Sequence, residues 1–406
     1  MPEPVIVASA RTPIGRARKG SLATMRASEL VSQVLDGTFA QVPSFDPHTL
    51  DDIHLGCGQP AGEQGHNLAR LIAVARGWDT VSGVTVQRYC SSSLQTTRMA
   101  AHAIRAGEGA AFLSVGVETV SRYDLGKSDG LPNTTDPIFE SARRRTHERS
   151  QGGAAPWSDP RERGDTPDIY VSMGQTAENV AQRFGVTRDQ QDEFAARSQQ
   201  RAERAIADGF WRDDITPVTL PDGRVIASDD SPRAGTTIGK LATLEPVFRP
   251  DGSVTAGNAC PLNDGAAAVL VLSEEAAERA GLTPIARIVA TGVSALSPEI
   301  MGMGPVEATR RALAHAGLTI DDIDVIELNE AFAAQAVPVI DQLGADPERV
   351  NPFGGAIAIG HPFGMTGARL THTLLHGLQV RGGRYGLETM CVAGGQGMAM
   401  IVERLT

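Results

Sequence analysis

The chain has 406 residues, enough for two or three globular units at roughly 150 residues each, and its 41% apolar and 21% charged residues are ordinary soluble usage. The net charge of -11 argues against nucleic acid, whose binding domains carry a basic face, and no apolar run reaches the roughly 20 residues that a membrane-spanning helix needs. Cys57, Cys90, Cys260 and Cys391 show no metal-ligand pair such as C-x2-C, so reduced thiols and a cytoplasmic protein without a metal centre are expected.

In chain order, PVIVAS opens as a β-type run, VTVQR follows, and the helical pattern LQTTRMAAHAIRAG leads into AAFLSVGV. From residue 121 to about 262 the rhythm breaks. The stretch GKSDGLPNTTDPIFESARRRTHERSQGGAAPWSDPRERGDTPD is too polar to supply much core, though amphipathic helices are expected at 175–184 and 188–208. Then β-type AAAVLVLS and ARIVATGV, helical EATRRALAHAG, and β-type DVIEL, LETMCV and MAMIVERL restore the alternation. This is the pattern of an α/β protein with mostly parallel or mixed sheets.

An ordered internal repeat runs through it. Asp51-Asp52-Ile53 recurs as Asp321-Asp322-Ile323, an offset of 270, and the strand before Gly116 matches the one ending at Cys391 with an offset of 275. Cys90, 37 residues after Ile53, corresponds to His361, 38 residues after Ile323. The chain therefore reads as a duplicated α/β unit: residues 1–120 plus 263–282 form one half, 283–406 the other, and 121–262 an inserted loop domain.

Four residues stand where chemistry is expected. Cys90 lies between a strand and a helical pattern, and a helix N-terminus can lower a thiol pKa. His361 sits in the glycine-rich GGAIAIGHPFGMTGARL, Cys391 leads into a Gly-rich turn, and Asn329 lies at a strand-to-helix junction, where an ordinary N-cap is the alternative. The duplication superposes Cys90 on His361, and a thiol beside an imidazole is an activated nucleophile. A second thiol nearby can act as acid and base.

Through VQRYCSSSLQTTRMAAHAIRAGEG, NEAFAAQ, GGAIAIGHPFGMTGARL and CVAGGQGMAMIVERL, in that order, the sequence resembles the thiolase family over essentially its whole length. The resemblance implies a layered α-β-α-β-α fold with a loop domain over the active site, and reversible thiolytic cleavage of a 3-ketoacyl-CoA to acetyl-CoA and a shortened acyl-CoA. Cys90 would be the acylated nucleophile, His361 its activator, Cys391 the acid and base, and Asn329 the holder of a water that completes one oxyanion hole with His361. The backbone N–H groups of Cys90 and Ala393 would form the second hole. Arg233, Cys260, Met173 and Phe332 are candidate substrate-binding residues; core packing is the alternative for Met173. No cofactor is implied, coenzyme A being a co-substrate.

Ser93, Ala393, Phe353 and Cys260 depart from the family's common Gly, Gly, Asn and Ser. Ala393 keeps its N–H available only if its φ is negative, Phe353 is expected to reshape a pocket wall, and Cys260 puts in doubt a hydroxyl contact to the CoA arm. Cys57, His54 and His102 read as core, surface or satisfied residues, Glu330 as either a structural or a supporting group, and Arg143-Arg144-Arg145 as a solvated run or a docking patch. GEQGHNLAR resembles the thiolase dimer segment, implying a homodimer or a dimer of dimers. The stretch of about 50 residues between Arg122 and Met173, with Ile138, Phe139 and Trp157 as apolar anchors, suggests fatty acid β-oxidation, medium or long acyl chains and docking to a hydratase/dehydrogenase subunit. A short-chain acetoacetyl-CoA thiolase and a noncatalytic acyl-CoA-binding subunit are the alternatives; a decarboxylating ketosynthase is disfavoured by Cys391.

Overall fold

The computed structural model describes residues 2–126 and 134–406; the part of the polar stretch at 127–133 lies outside the described residues. In the first half, β1 (Pro4–Arg11), α1 (Ala27–Ala40), β2 (Asp52–Cys57), α2 (Leu68–Ala75), β3 (Ser82–Val86), α3 (Ser92–Ala106) and β4 (Ala111–Thr119) follow in turn. The intervening segment carries α4 (Glu140–Ser150), α5 (Met173–Phe184) and α6 (Arg188–Ala207). After it come β5 (Asn263–Ser273), β6 (Ala286–Ala295), α7 (Gly304–Ala316), β7 (Val325–Leu328), α8 (Ala333–Leu343), α9 (Thr366–Arg381), β8 (Tyr385–Val392) and β9 (Gln396–Arg404).

The strand order β3-β2-β4-β5-β1-β6-β9-β8-β7 reads almost the same from either end. β2 pairs parallel with β4, as β7 does with β8. β4–β5–β1 and β8–β9–β6 are antiparallel. The parallel β2–β3 pair has its counterpart in a single parallel bridge, Ile326 to Val350. This mirrored pairing is the duplication seen as topology, and its landmarks fall where the repeat places them. β1 and β6 meet at only two residue pairs, Val5 with Arg287 and Ile6 with Ala286, so the ladder folds over at that seam.

Helices α3 and α9 fill the fold. α9 touches strands of both halves and lies against α3, while α1 and α2 cover the outside of the first sheet and α7 the outside of the second. The result is the α-β-α-β-α layering. Burial on all sides explains the apolar runs of β4, β5 and β8. The close crossing of α3 and α9 requires a glycine, because a Cβ on Gly367 would stand 2.2 Å from the Leu94 backbone nitrogen. Ser93, where a glycine is common, is accommodated here: its Oγ accepts the Ala368 N–H at 2.9 Å and so stitches the two helices together.

Residues 210–214 of the insertion are fastened to this core through charge. Arg11 and Asp214 are fully buried and paired, with Asp229 on the other side of the guanidinium at 2.8 Å. His376 Nδ1 reaches Asp214 Oδ1 at 3.3 Å. Beside it Phe353 stacks on Phe210 at 3.8 Å, and Phe210 on His376 at 4.1 Å. Phe353 is thus part of an aromatic stack, not a pocket wall, because the ring has a flat partner available in the insertion. Asp214→Ala would strand a buried guanidinium with half its compensation, so a loss of about 3 to 5 kcal/mol in urea unfolding is expected.

Trp157, expected as an anchor for a partner or acyl chain, is buried, and its Nε1 donates to Glu299 Oε2 at 2.6 Å. It secures the insertion to the second half. Ile138 does remain 67% exposed.

Candidate active site

Cys90 sits in the tight turn Tyr89–Ser91, four residues beyond β3 and just ahead of α3. Tyr89 takes a positive φ of 44°, a conformation that costs a non-glycine residue energy and is typical of a side chain held in a forced direction. Ser92 closes the turn by donating to the Tyr89 carbonyl at 2.7 Å and accepting the Arg88 N–H at 2.9 Å. The thiol meets the backbone N–H of Ala393 and its own N–H. Ala393 is not among the residues with positive φ; Gly394 (79°) and Gly395 (78°) carry the turn between β8 and β9, so its N–H remains presented.

His361 is 1% exposed. Thr366 Oγ1 donates to the Pro362 carbonyl at 2.7 Å and therefore accepts from His361 Nδ1 at 2.6 Å. The ring proton is thereby fixed on Nδ1, leaving Nε2 with its lone pair. Asn329 Nδ2 donates to that Nε2 at 3.3 Å. The loop is held by the His361 N–H on Asn263 Oδ1 at 2.9 Å, and Asn263 Nδ2 donates in turn to the Gly15 carbonyl and to Ser231 Oγ. Asn329 is no N-cap: α8 begins at Ala333, and Asn329 Oδ1 is buried with no partner among the described residues.

Cys391 is fully buried in β8 and packs in one apolar cluster with Phe332, Met301, Met173 and Phe248. Cys260 is held by its N–H on the Ala331 carbonyl at 3.0 Å. The three thiols of Cys90, Cys391 and Cys260 lie close enough to influence one another's ionisation. Met173 and Phe332 thus share one wall. Ile169 closes over the far side: a Cβ on Gly394 would stand 3.5 Å from its Cδ1.

Arg233 stands further out on the His361 side, two residues after the Ser231 that supports Asn263. Its backbone N–H donates to Gln199 Oε1 at 2.9 Å. Burial and then the charge of Arg16 hold its guanidinium below the usual arginine range.

The electrostatics correct one expectation. Cys90 is not a thiolate eased by a helix N-terminus: burial and then the Glu118 charge push its thiol up to about 12, against the opposing pull of the Ala393 N–H. Burial and Arg369 hold His361 down to about 3. Burial also raises Cys391 and Cys260. Both shifts favour the neutral thiol and the neutral imidazole before a ligand is bound.

The residues that sequence reading passed over are Thr366, Asn263 and Glu118. Thr366 was visible in the GMTGAR run, five residues after the histidine; Asn263 lies 98 residues away from its partner, with no local signal. Glu330 proves structural, accepting from Ser198 Oγ, Asn351 Nδ2 and the Ile357 N–H. His54 is buried against Asp52 at 3.2 Å, and Cys57 is core. No cluster of three or more His, Cys, Asp or Glu that could hold a metal occurs among the described residues, and none of their helices is long and apolar enough to cross a membrane.

A duplicated, layered α/β fold with cysteine, histidine and asparagine converging at strand ends defines the class, and comparison with known proteins agrees with it. Residues 4–275 match the family model described as "Thiolase, N-terminal domain", and residues 282–404 match "Thiolase, C-terminal domain". The chain is 41% identical to a 3-ketoacyl-CoA thiolase of Bacillus subtilis (strain 168), over 99% of this chain and all of that one. It is 44% identical to a β-ketoadipyl-CoA thiolase of Acinetobacter baylyi, over 98% and 99%. The solved acetyl-CoA acetyltransferase of Bacillus anthracis superposes with a TM-score of 0.85 at 39% identity, covering 100% of this chain and 99% of that one. The chain belongs to the thiolase family, and it is an acyltransferase.

Proposed function

We propose that the protein cleaves 3-ketoacyl-CoA with free CoA, giving acetyl-CoA and a shortened acyl-CoA through an acyl group carried on Cys90. The observation that carries this is the Cys90 thiol placed under the Ala393 N–H, with the His361 ring proton fixed on Nδ1 so that Nε2, which accepts from Asn329 Nδ2, is the basic nitrogen. As the Cys90 sulfur attacks the 3-carbonyl, its proton passes to His361 Nε2, and the carbonyl oxygen gathers charge against the N–H groups of Cys90 and Ala393. Donors aimed at such an oxygen contribute about 3 to 4 kcal/mol each. The C2–C3 bond then breaks, and the electron pair moves onto the enolate of acetyl-CoA, whose oxygen faces His361 and a water held by Asn329. Cys391 protonates C2. In the second half, Cys391 takes the thiol proton of incoming CoA, the CoA sulfur attacks the acyl carbon, and His361 returns its proton to Cys90. Every proton is accounted for without a metal or redox cofactor. Arg233 and Arg16 would take CoA phosphate at the rim, Met173 and Phe332 would wall the acyl group, and residues 121–262 would cover it. Measuring CoA-dependent cleavage of acetoacetyl-CoA and longer 3-ketoacyl-CoAs tests this, and absence of cleavage across the series would refute it.

A second substrate class is favoured by α4. In a chain of net charge -11, this helix presents Arg143 and Arg144 with no ion-paired carboxylate among the described residues. Both line a groove with Glu140, Asp168, Tyr170, Val171 and Gln175, next to the Ile169 that lies over Gly394. A substrate whose acyl chain ends in a carboxylate, as the relatives named for β-ketoadipyl-CoA suggest, would find its counter-charge here. An R143A/R144A double variant should then lose about 10- to 100-fold in kcat/KM for 3-oxoadipyl-CoA and retain its rate on 3-oxohexanoyl-CoA. If neither rate changes, the fatty-acyl reading from β-oxidation, with its hydratase/dehydrogenase partner, is the one to pursue.

The minimal assembly in this reading is a cytoplasmic homodimer. β3 is a half-exposed edge strand, and Leu71 and Val74 of the adjacent α2 are 40% and 52% exposed, the kind of open edge that proteins cover. Sedimentation at micromolar concentration should give a dimer or a dimer of dimers; a fully active monomer would contradict it.

A further inference from the structure

One buried carboxylate behind the site is not used by the chemistry above. Glu118, in β4, is fully buried. Its Oε2 accepts the backbone N–H groups of Gly58 at 2.7 Å and Gly364 at 2.8 Å. Its Oε1 accepts from Gln64 Nε2 at 2.8 Å, the Tyr123 hydroxyl at 2.9 Å, the Gln59 N–H at 3.3 Å and the Cys57 thiol at 3.8 Å. Four of these groups are N–H donors that have no lone pair to offer a carboxylic acid proton. Burial pushes the acid up, but so many donors favour the charged form.

The segments that converge on Glu118 are those that build the site. Gly364 lies three residues beyond His361, and the Phe363 ring stands edge-on to the imidazole at 5.2 Å. The Cys57 carbonyl accepts from Ser92 Oγ at 3.3 Å, in the turn that aims Cys90. The fit at Gly58 is tight, since a Cβ there would stand 2.7 Å from Glu118 Oε2 and 3.0 Å from Phe363 Cβ.

We propose that Glu118 is a positioning residue for acyl transfer: its carboxylate ties the His361 loop and the end of β2 together behind Cys90. The inference rests on the acyl-cysteine reading. The groups that act on the Cys90 thiol are the Cys391 and Cys260 thiols, the Ala393 N–H and Glu118, whose charge opposes ionisation of the thiol.

The test is thiolysis kinetics together with the rate of Cys90 alkylation by iodoacetamide at pH 8 without substrate, followed by peptide mass mapping. In E118Q kcat should drop at least about tenfold with KM nearly unchanged, and the alkylation rate should rise about tenfold, the equivalent of about one pH unit in thiol ionisation. An unchanged kcat, or an alkylation rate that is unchanged or lowered, overturns the proposal. Should E118Q not fold, Y123F withdraws one donor from Oε1 and leaves the charge less shielded: its alkylation rate should fall, and an unchanged rate is contrary. Alkylation needs no acyl-CoA, so this result stands apart from success or failure of the thiolysis reading.

Discussion

Cys90→Ala should abolish thiolysis, lowering kcat by at least about 10³-fold, with acyl-CoA still bound. The loss is expected to be this large because neither neighbouring thiol can replace it. Cys391 packs in β8 among Phe332, Met301 and Met173, away from the Ala393 N–H that meets the Cys90 thiol, and Cys260 has its backbone N–H on the Ala331 carbonyl. Cys90 is the thiol that meets the Ala393 N–H, on a turn held in shape by the positive φ of Tyr89. Cys90→Ser is expected to be nearly as inactive, because a hydroxyl gives up its proton less readily than a thiol and the resting imidazole is a weak base in its buried pocket. Steady-state cleavage of acetoacetyl-CoA, with binding followed separately, checks both variants. Retention of more than about a tenth of the rate in Cys90→Ala would move the nucleophile elsewhere.

The second large effect separates the two halves of the reaction. Cys391→Ala should still take an acyl group onto Cys90 at a rate within about tenfold of the parent, yet lose exchange of the acetyl-CoA α-protons with solvent by at least about 10²-fold. In the proposed reaction the variant removes the acid and base and leaves the nucleophile, its N–H donors and His361 in place. The cavity from losing one sulfur atom in an apolar cluster is small, so misfolding is not the expected cause. Exchange followed by mass spectrometry in deuterated water gives the answer directly. Normal exchange would assign the proton transfer to another group.

The candidate site residues were legible as compact runs: Cys90 in its turn before a helix, His361 in a glycine-rich loop, Cys391 before Ala393 and the two glycines. The duplication was legible too, since Asp51 to Ile53 runs into β2 and Asp321 to Ile323 lies just ahead of β7, strands in equivalent places of the mirrored sheet. What holds the reactive groups in place was not. Asn263 and Glu118 act on the His361 loop from 98 and 246 residues away, and nothing near either residue signals that. The protonation of Cys90 was misjudged for a related reason: the helix terminus is a local effect, whereas burial and Glu118 come from the folded surroundings and outweigh it. Trp157 and Phe353 looked free to meet a ligand because their segments are polar or irregular, but Glu299 and Phe210 claim them.

The central claim is the acyl group on Cys90, and incubation with acetyl-CoA followed by peptide mass mapping tests it most directly. The account predicts one acetyl group, on the peptide that carries Cys90, lost in Cys90→Ala and discharged by added CoA. An acetyl group confined to the Cys391 or Cys260 peptide, or none on any thiol, would contradict it.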